Sequence, residues 1–80
     1  MDKGNIFFKQ KNFTNAIAFY NKAISLDPNW PAPYLNKGNT LFKLGNYSGA
    51  IESYNKAISL LGNLDEQIKS LDKTQILLLP

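Results

Sequence analysis

The 80-residue sequence contains no cysteine, no histidine and no arginine. The absence of cysteine and histidine excludes disulfides, most zinc sites, thiol nucleophiles and the commonest general base. Six carboxylates remain, but they are scattered, and no glycine-rich phosphate loop accompanies them. We therefore expect a protein that is not an enzyme and that requires neither a cofactor nor a metal.

Positive charge is also sparse. Nine lysines against six carboxylates give a net charge of +3, and the lysines are spread along the whole chain. Nucleic-acid-binding proteins usually cluster their cations and favour arginine. A solvated surface is the favoured interpretation, so we expect no nucleic-acid partner; weak RNA or DNA binding through the lysines stays open as an alternative.

Long apolar segments are absent as well. The N-terminus lacks the apolar stretch of a signal peptide, and the longest aliphatic run, Ile76 to Leu79, is too short to span a bilayer. We expect a cytoplasmic protein without a membrane partner. The chain is 44% hydrophobic, with five Phe, four Tyr and one Trp, which indicates one small folded domain rather than a disordered segment.

What the sequence does contain is an internal repeat with a period of 34 residues. Residues 2–30 align without a gap with residues 36–64, and 16 of the 29 pairs are identical. A repeat of this length predicts two copies of one supersecondary unit, which stack on each other to bury their apolar faces.

Each unit has the pattern of two helices. In the second unit, apolar residues recur at helical spacing on both sides of a break at Gly45-Asn46. Pro28 ends the first unit, because proline cannot continue a helix. The pattern predicts five helices, near residues 2–11, 14–26, 31–44, 48–61 and 64–77.

Small residues recur where the two helices of a unit would meet. Gly4 and Gly38 fall within the first helices, where glycine costs about 1 kcal/mol relative to alanine, so a packing reason is expected. We predict that they allow the helices to approach closely, with Tyr20 and Tyr54 filling the remaining space. The alanines predicted to share this contact are Ala16, Ala23, Ala50 and Ala57.

The period and these positions resemble the tetratricopeptide repeat (TPR), whose pattern runs W-x2-L-G-x2-Y, then A-x3-F, then a small residue and P. The second unit has Tyr34-x2-Lys37-Gly38-x2-Leu41 and then Ala50-x3-Tyr54-x2-Ala57. The first has Lys3-Gly4-x2-Phe7 and then Ala16-x3-Tyr20-x2-Ala23-x4-Pro28. The resemblance implies an all-α fold in which antiparallel helix pairs stack as a short right-handed superhelical solenoid.

The sequence departs from that pattern in three respects. The first unit begins within its first helix, so the large aromatic residue of the pattern would fall before Met1. Lys3 and Lys37 replace the usual leucine, and the second unit ends in Leu61-Gly62 instead of Asp-Pro. We expect a glycine-type helix end there.

These boundaries divide a single domain, residues 1–80, into three parts. They are an N-terminally truncated first repeat (1–30), a second repeat (31–63) and a segment that resembles the capping helix of the family (64–80). The last segment carries Leu64, Ile68, Leu71 and Gln75 on one helical stripe. Both a complete protein and a piece of a longer array are compatible with the sequence.

The resemblance also implies a function. In the TPR family, partners usually lie along the concave surface formed by the first helix of each repeat, so we expect a protein–protein interaction scaffold that binds a peptide or protein segment there. Asn suits an extended backbone, Lys a carboxylate and Phe an apolar side chain. By matching spacing, the candidate peptide-binding residues are Asn5, Phe8, Lys9, Leu35, Asn36, Asn39, Phe42 and Lys43.

Several of these candidates have a structural alternative. The two phenylalanines could pack against neighbouring side chains, and Asn5 and Asn39 could form hydrogen bonds between helices. Some TPR proteins bind a free C-terminal carboxylate with a clamp of Lys and Asn residues. Asn5 and Asn36 match two of these positions, whereas Met1 stands where a lysine is expected. An acidic or C-terminal peptide segment is the partner class that this chemistry suggests.

Self-association is the competing hypothesis. Fewer than three full repeats are only marginally stable alone. The apolar run from Ile76 to Leu79 also exceeds what one helical stripe can bury. We expect a homo-oligomer in which residues 64–80 take part in the contact.

Overall fold

The computed structural model describes the backbone of residues 2–78 and the side chains of residues 2–62. Four α-helices make up this part of the chain, and no strand occurs in it. The predicted all-α helical repeat is confirmed. The helices are α1 (Asp2–Lys9), α2 (Phe13–Leu26), α3 (Pro31–Lys43) and α4 (Tyr47–Leu78).

Each helix packs against the next one along the chain. α1 contacts α2, α2 contacts α3, and α3 contacts α4. The connections are only three or four residues long, and such short loops join antiparallel neighbours. α1 and α2 therefore form the helix pair of the first repeat, and α3 pairs with the first part of α4 in the second.

A contact between glycine and tyrosine brings the two helices of each pair together. A Cβ atom on Gly4 would lie 2.6 Å from Cε1 of Tyr20, and one on Gly38 would lie 2.7 Å from Cε1 of Tyr54. Carbon atoms that are not bonded prefer a separation of roughly 3.5–4 Å, so any side chain at these two positions would force the helices apart. The close approach predicted at Gly4 and Gly38 is confirmed. Of the alanines predicted to share this contact, Ala16, Ala50 and Ala57 are buried, whereas Ala23 is half-buried.

The turn between α1 and α2 shows why α1 ends at Lys9 rather than near residue 11. Lys11 has a φ of 60°, in the left-handed region, as does Gly45 at the matching position of the second repeat. The amide of Asn12 donates a hydrogen bond to the carbonyl of Phe7 at 2.8 Å, and the same bond recurs 34 residues later at 2.9 Å. This bond closes a Schellman turn, which needs a left-handed residue just after the helix. The prediction of a helix to residue 11 was wrong because the turn overrides the helix propensity of lysine.

The last helix differs more strongly from the prediction. The segments near 48–61 and 64–77, expected as two helices, belong to the single helix α4. Gly62 is helical and has no positive φ, so the expected glycine-type end was wrong. A glycine inside a helix costs only about 1 kcal/mol, and no proline follows it before Leu78 to remove an amide donor.

Two expectations about the C-terminal segment lie outside the described residues. One is the apolar stripe of the capping-type segment, residues 64–80. The other is the expectation that this segment takes part in a contact between copies of the chain.

The shared turn geometry generates a stability prediction. Lys11→Gly should raise the free energy of unfolding by about 1 kcal/mol, because glycine adopts a positive φ without the steric cost of a Cβ atom. Urea unfolding followed by circular dichroism measures the change. Gly45→Ala is the matched control and should lower stability by a similar amount. A Lys11→Gly variant less stable than the parent would contradict the turn.

Candidate peptide-binding surface

The eight predicted site residues lie on the first helices of the two repeats. Three belong to α1 and five to α3, and Lys9 and Lys43 are the last residues of their helices. We call this surface the first-helix face. It consists of Asn5, Phe8, Lys9, Leu35, Asn36, Asn39, Phe42 and Lys43.

A side-chain contact joins the two halves of the first-helix face. Nδ2 of Asn36 in α3 lies 3.5 Å from Oδ1 of Asn5 in α1 and donates a hydrogen bond to it. The two helices belong to different repeats, so the first-helix face continues across the boundary between the repeats. A ligand lying along it can contact both helices.

The asparagines of this face are held by the tyrosines of the second helices. The hydroxyl of Tyr20 donates to Oδ1 of Asn5 at 2.7 Å, and that of Tyr54 donates to Oδ1 of Asn39 at 2.5 Å. The hydrogen bonding between helices that the sequence left open is therefore present in both repeats. Both bonds use the side-chain oxygen, so each carboxamide NH₂ group points away from its tyrosine.

The two phenylalanines differ in how much of their surface is open. Phe8 is half-buried and packs on Phe13 with the two rings tilted by 60° and their centroids 5.7 Å apart. Phe42 forms a T-shaped contact with Tyr47 at 5.2 Å, yet 54% of its surface is exposed. Leu35, seven residues before Phe42 on the same side of α3, is 46% exposed. The second repeat thus offers an apolar patch, whereas Phe8 mainly packs.

Three kinds of chemical group are present on the first-helix face. It combines amide groups, an apolar patch and two exposed ammonium groups on Lys9 and Lys43. In the part of the chain with described side chains, no cluster of three or more acidic, cysteine or histidine residues could hold a metal ion. No helix among those residues is long and apolar enough to cross a membrane.

The structure also contains a groove that the sequence analysis did not single out. Its volume is about 730 Å³, and its walls include Tyr34, Lys37 and Leu41 of α3 and Gly49 and Ser53 of α4. We call it the second-repeat groove. The available signal was a mismatch in the repeat alignment, because Ser53 stands where the first repeat has a phenylalanine.

Comparison with known protein families matches the chain in two places. A model described as TPR repeat matches residues 4–45, and one described as tetratricopeptide repeat matches residues 31–64. The first match alone covers more than half of the 80 residues, and the two overlap across α3. A search of curated proteins found no match.

The buried hydroxyl of Tyr20 generates a prediction about pH. Burial raises the pKa of Tyr20 above its ordinary value. The folded state therefore holds this proton more tightly than the unfolded chain, whose tyrosines ionise near pH 10. The resulting stability is fully present below about pH 10 and is lost as the pH rises through the folded pKa.

Tyr20→Phe should therefore change stability in two ways. Near neutral pH it should lower the free energy of unfolding by about 1 kcal/mol, because the hydrogen bond to Asn5 is lost. Above about pH 10 its stability should fall less steeply than that of the parent. Urea unfolding across this range measures both effects, with Tyr47→Phe, at an exposed ring, as the control. Parallel alkaline losses in the parent and Tyr20→Phe would contradict the assignment.

Proposed function

The chain belongs to the tetratricopeptide repeat family, and on that premise we propose that it is a non-enzymatic scaffold that binds a peptide or protein segment along the first-helix face. Repeats of this family generally mediate protein–protein interaction. A cytoplasmic location and the absence of nucleic-acid and membrane partners remain predictions from composition.

The observation that carries the proposal is the recurrence of one polar and apolar arrangement in two adjacent helices. Asn5, Phe8 and Lys9 recur as Asn39, Phe42 and Lys43, at i, i+3 and i+4 spacing that places each set on one side of its helix. Extended peptides are recognised by just such amide groups together with pockets or patches for alternate side chains. The two sets give a peptide two equivalent contact points.

The charge of this face favours an acidic or C-terminal segment. Lys9 and Lys43 are both exposed, so either can attract a side-chain or terminal carboxylate. The clamp positions Asn5 and Asn36 are hydrogen-bonded to each other, and we assign them to holding the face together as much as to contacting the ligand.

A pair of charge reversals tests this proposal. Lys9→Glu combined with Lys43→Glu should weaken binding of an acidic hexapeptide that has a free C-terminal carboxylate and no aromatic residue, by roughly tenfold. NMR titration of the ¹⁵N-labelled chain measures the affinity and locates the contact. Circular dichroism should show an unchanged fold, because both lysines are at the surface.

The matched control reverses two lysines of the second helices, Lys22 and Lys56, which are also 34 residues apart. The net charge changes by the same amount, so nonspecific attraction is equalised. If the Lys22→Glu, Lys56→Glu variant loses affinity and the Lys9→Glu, Lys43→Glu variant keeps it, the partner binds the second helices and the proposal is wrong.

A second candidate function, self-association, is favoured by the outer face of α4. Ile17 and Ile24 of α2 are half-buried, because α3 packs on this helix, but their counterparts Ile51 and Ile58 are 58% and 64% exposed. Leu61 continues the exposed stripe at 51%. Contiguous exposed apolar surface of this kind marks a contact site. We propose a second copy of the chain as its cover.

Charged residues on this stripe should dissociate such an oligomer. Ile51→Glu combined with Ile58→Lys leaves the net charge unchanged, and sedimentation at micromolar concentration should shift to the 9.0 kDa monomer. Leu44→Glu combined with Leu26→Lys is the control, since both leucines are exposed away from the stripe. A parent chain that already sediments as a monomer at those concentrations would rule out this second function.

A further inference from the structure

The second-repeat groove lies where the first repeat carries an aromatic ring, that of Phe19, which the second repeat lacks. In the first repeat, the ring of Phe19 stacks on that of Phe7, with centroids 5.4 Å apart and an angle of 18° between the planes. The ammonium group of Lys3 lies 5.8 Å from the centroid of the Phe19 ring. The ring thus sits against an aromatic wall and beside a cation, an arrangement typical of a cation–π contact.

The second repeat keeps the surroundings of this ring but not the ring itself. Thirty-four residues on, Lys37 replaces Lys3, Leu41 replaces Phe7, and Ser53 replaces Phe19. All three of these residues line the groove, and Ser53 is only 9% exposed, so it lies at the inner wall. The groove thus keeps an apolar residue, Leu41, and a cation, Lys37, but has a serine in place of the aromatic ring.

The size and lining of the groove fit a single bulky side chain with its flanking backbone. Its volume of about 730 Å³ lies within the range of roughly 300–1,000 Å³ found for ligand sites. Tyr34 and Leu41 supply apolar surface, and Gly49 lines the groove without a side chain. At the rim, Lys37 and Lys56 outnumber the carboxylate of Glu52, which favours an acidic group beside the inserted side chain.

We propose that the second-repeat groove is a docking site for a partner polypeptide that inserts a Phe, Tyr or Trp side chain against Leu41 and beside Lys37. The inserted ring takes the place that Phe19 occupies in the first repeat. An aromatic residue is the expected occupant because the first repeat places one, Phe19, at the equivalent position. The groove that Phe19 lines there with Lys3 and Lys22 is smaller, about 420 Å³ against about 730 Å³.

This site is separate from the first-helix face. Successive residues of an α-helix are about 100° apart around its axis, so the mean direction of Tyr34, Lys37 and Leu41 lies about 130° around α3 from that of Leu35, Asn39 and Phe42. One bound segment therefore cannot make the same contacts with the second-repeat groove and with the first-helix face. The two sites therefore offer the scaffold two independent contacts, and the second goes beyond the function proposed above.

Two short peptides that differ in one ring test the proposal. The ¹⁵N-labelled chain is titrated with acetyl-Asp-Phe-Gly-amide and, separately, with acetyl-Asp-Ala-Gly-amide. The phenylalanine peptide should produce saturable shifts of the Leu41, Gly49 and Ser53 amides, and the alanine peptide should bind about tenfold more weakly or less. The absence of localised, saturable shifts with the phenylalanine peptide would overturn the proposal, as would equal binding of both peptides.

Two substitutions at one position then separate filling of the groove from loss of the serine. Ser53→Phe supplies the missing ring from the chain itself and should weaken the phenylalanine peptide by about tenfold, whereas Ser53→Ala keeps the groove open and should bind within about twofold of the parent. Circular dichroism checks that both variants fold. If Ser53→Phe does not fold, the parent and Ser53→Ala titrations still decide, because loss of binding in Ser53→Ala would overturn the proposal.

The location of the shifts distinguishes this site from other outcomes. Shifts confined to the first-helix face would overturn the groove assignment and leave the proposed scaffold function intact. Shifts at Leu41 and Ser53 that change on dilution of the chain without peptide would assign the groove to a second copy and would also overturn the proposal. Groove shifts caused by the phenylalanine peptide alone support it whether or not the first-helix face binds the acidic hexapeptide.

Discussion

The close approach of each tyrosine to its glycine is the contact on which the rest of the structure depends. Because no Cβ stands between them, the ring of Tyr20 lies directly on α1 at Gly4, and that of Tyr54 on α3 at Gly38. Each tyrosine hydroxyl thereby reaches the asparagine that follows the glycine on the other helix of the pair and donates a hydrogen bond to it. The same packing therefore fixes the distance between the helices and orients polar groups on the first-helix face.

The two repeats act as controls for each other, since they share the residues of the helix–helix contact but differ at 13 of the 29 aligned positions. Where the residues are identical, the geometry recurs: the tyrosine–asparagine hydrogen bonds and the turns closed by Asn12 and Asn46 appear in both. Where they differ, the surfaces differ. Ser53, which stands in place of Phe19, lines the second-repeat groove, and in the part of the chain with described side chains Ile51 and Ile58 form an exposed apolar stripe. The candidate sites thus lie at differences between repeats as much as at repeated residues.

The sequence was sufficient to predict the helix pairs, because internal identity and small residues at matched positions report directly on packing. It was also sufficient to place the candidate face on α1 and α3, since helical spacing decides which residues share a side. It did not predict the end of α1, because lysine rarely adopts a positive φ and the turn is set by backbone hydrogen bonds at Asn12. It placed an end at Gly62 because glycine both ends and interrupts helices, and only the continued backbone hydrogen bonding distinguishes the two.

The most direct test of this account is proton NMR of the two glycines within the helix pairs. The account predicts that the Hα protons of Gly4 and Gly38 are shifted upfield by ring currents, and that they show nuclear Overhauser effects to the ring protons of Tyr20 and Tyr54 respectively. Ordinary glycine shifts without these cross-peaks would contradict the helix packing on which both proposed binding sites rest.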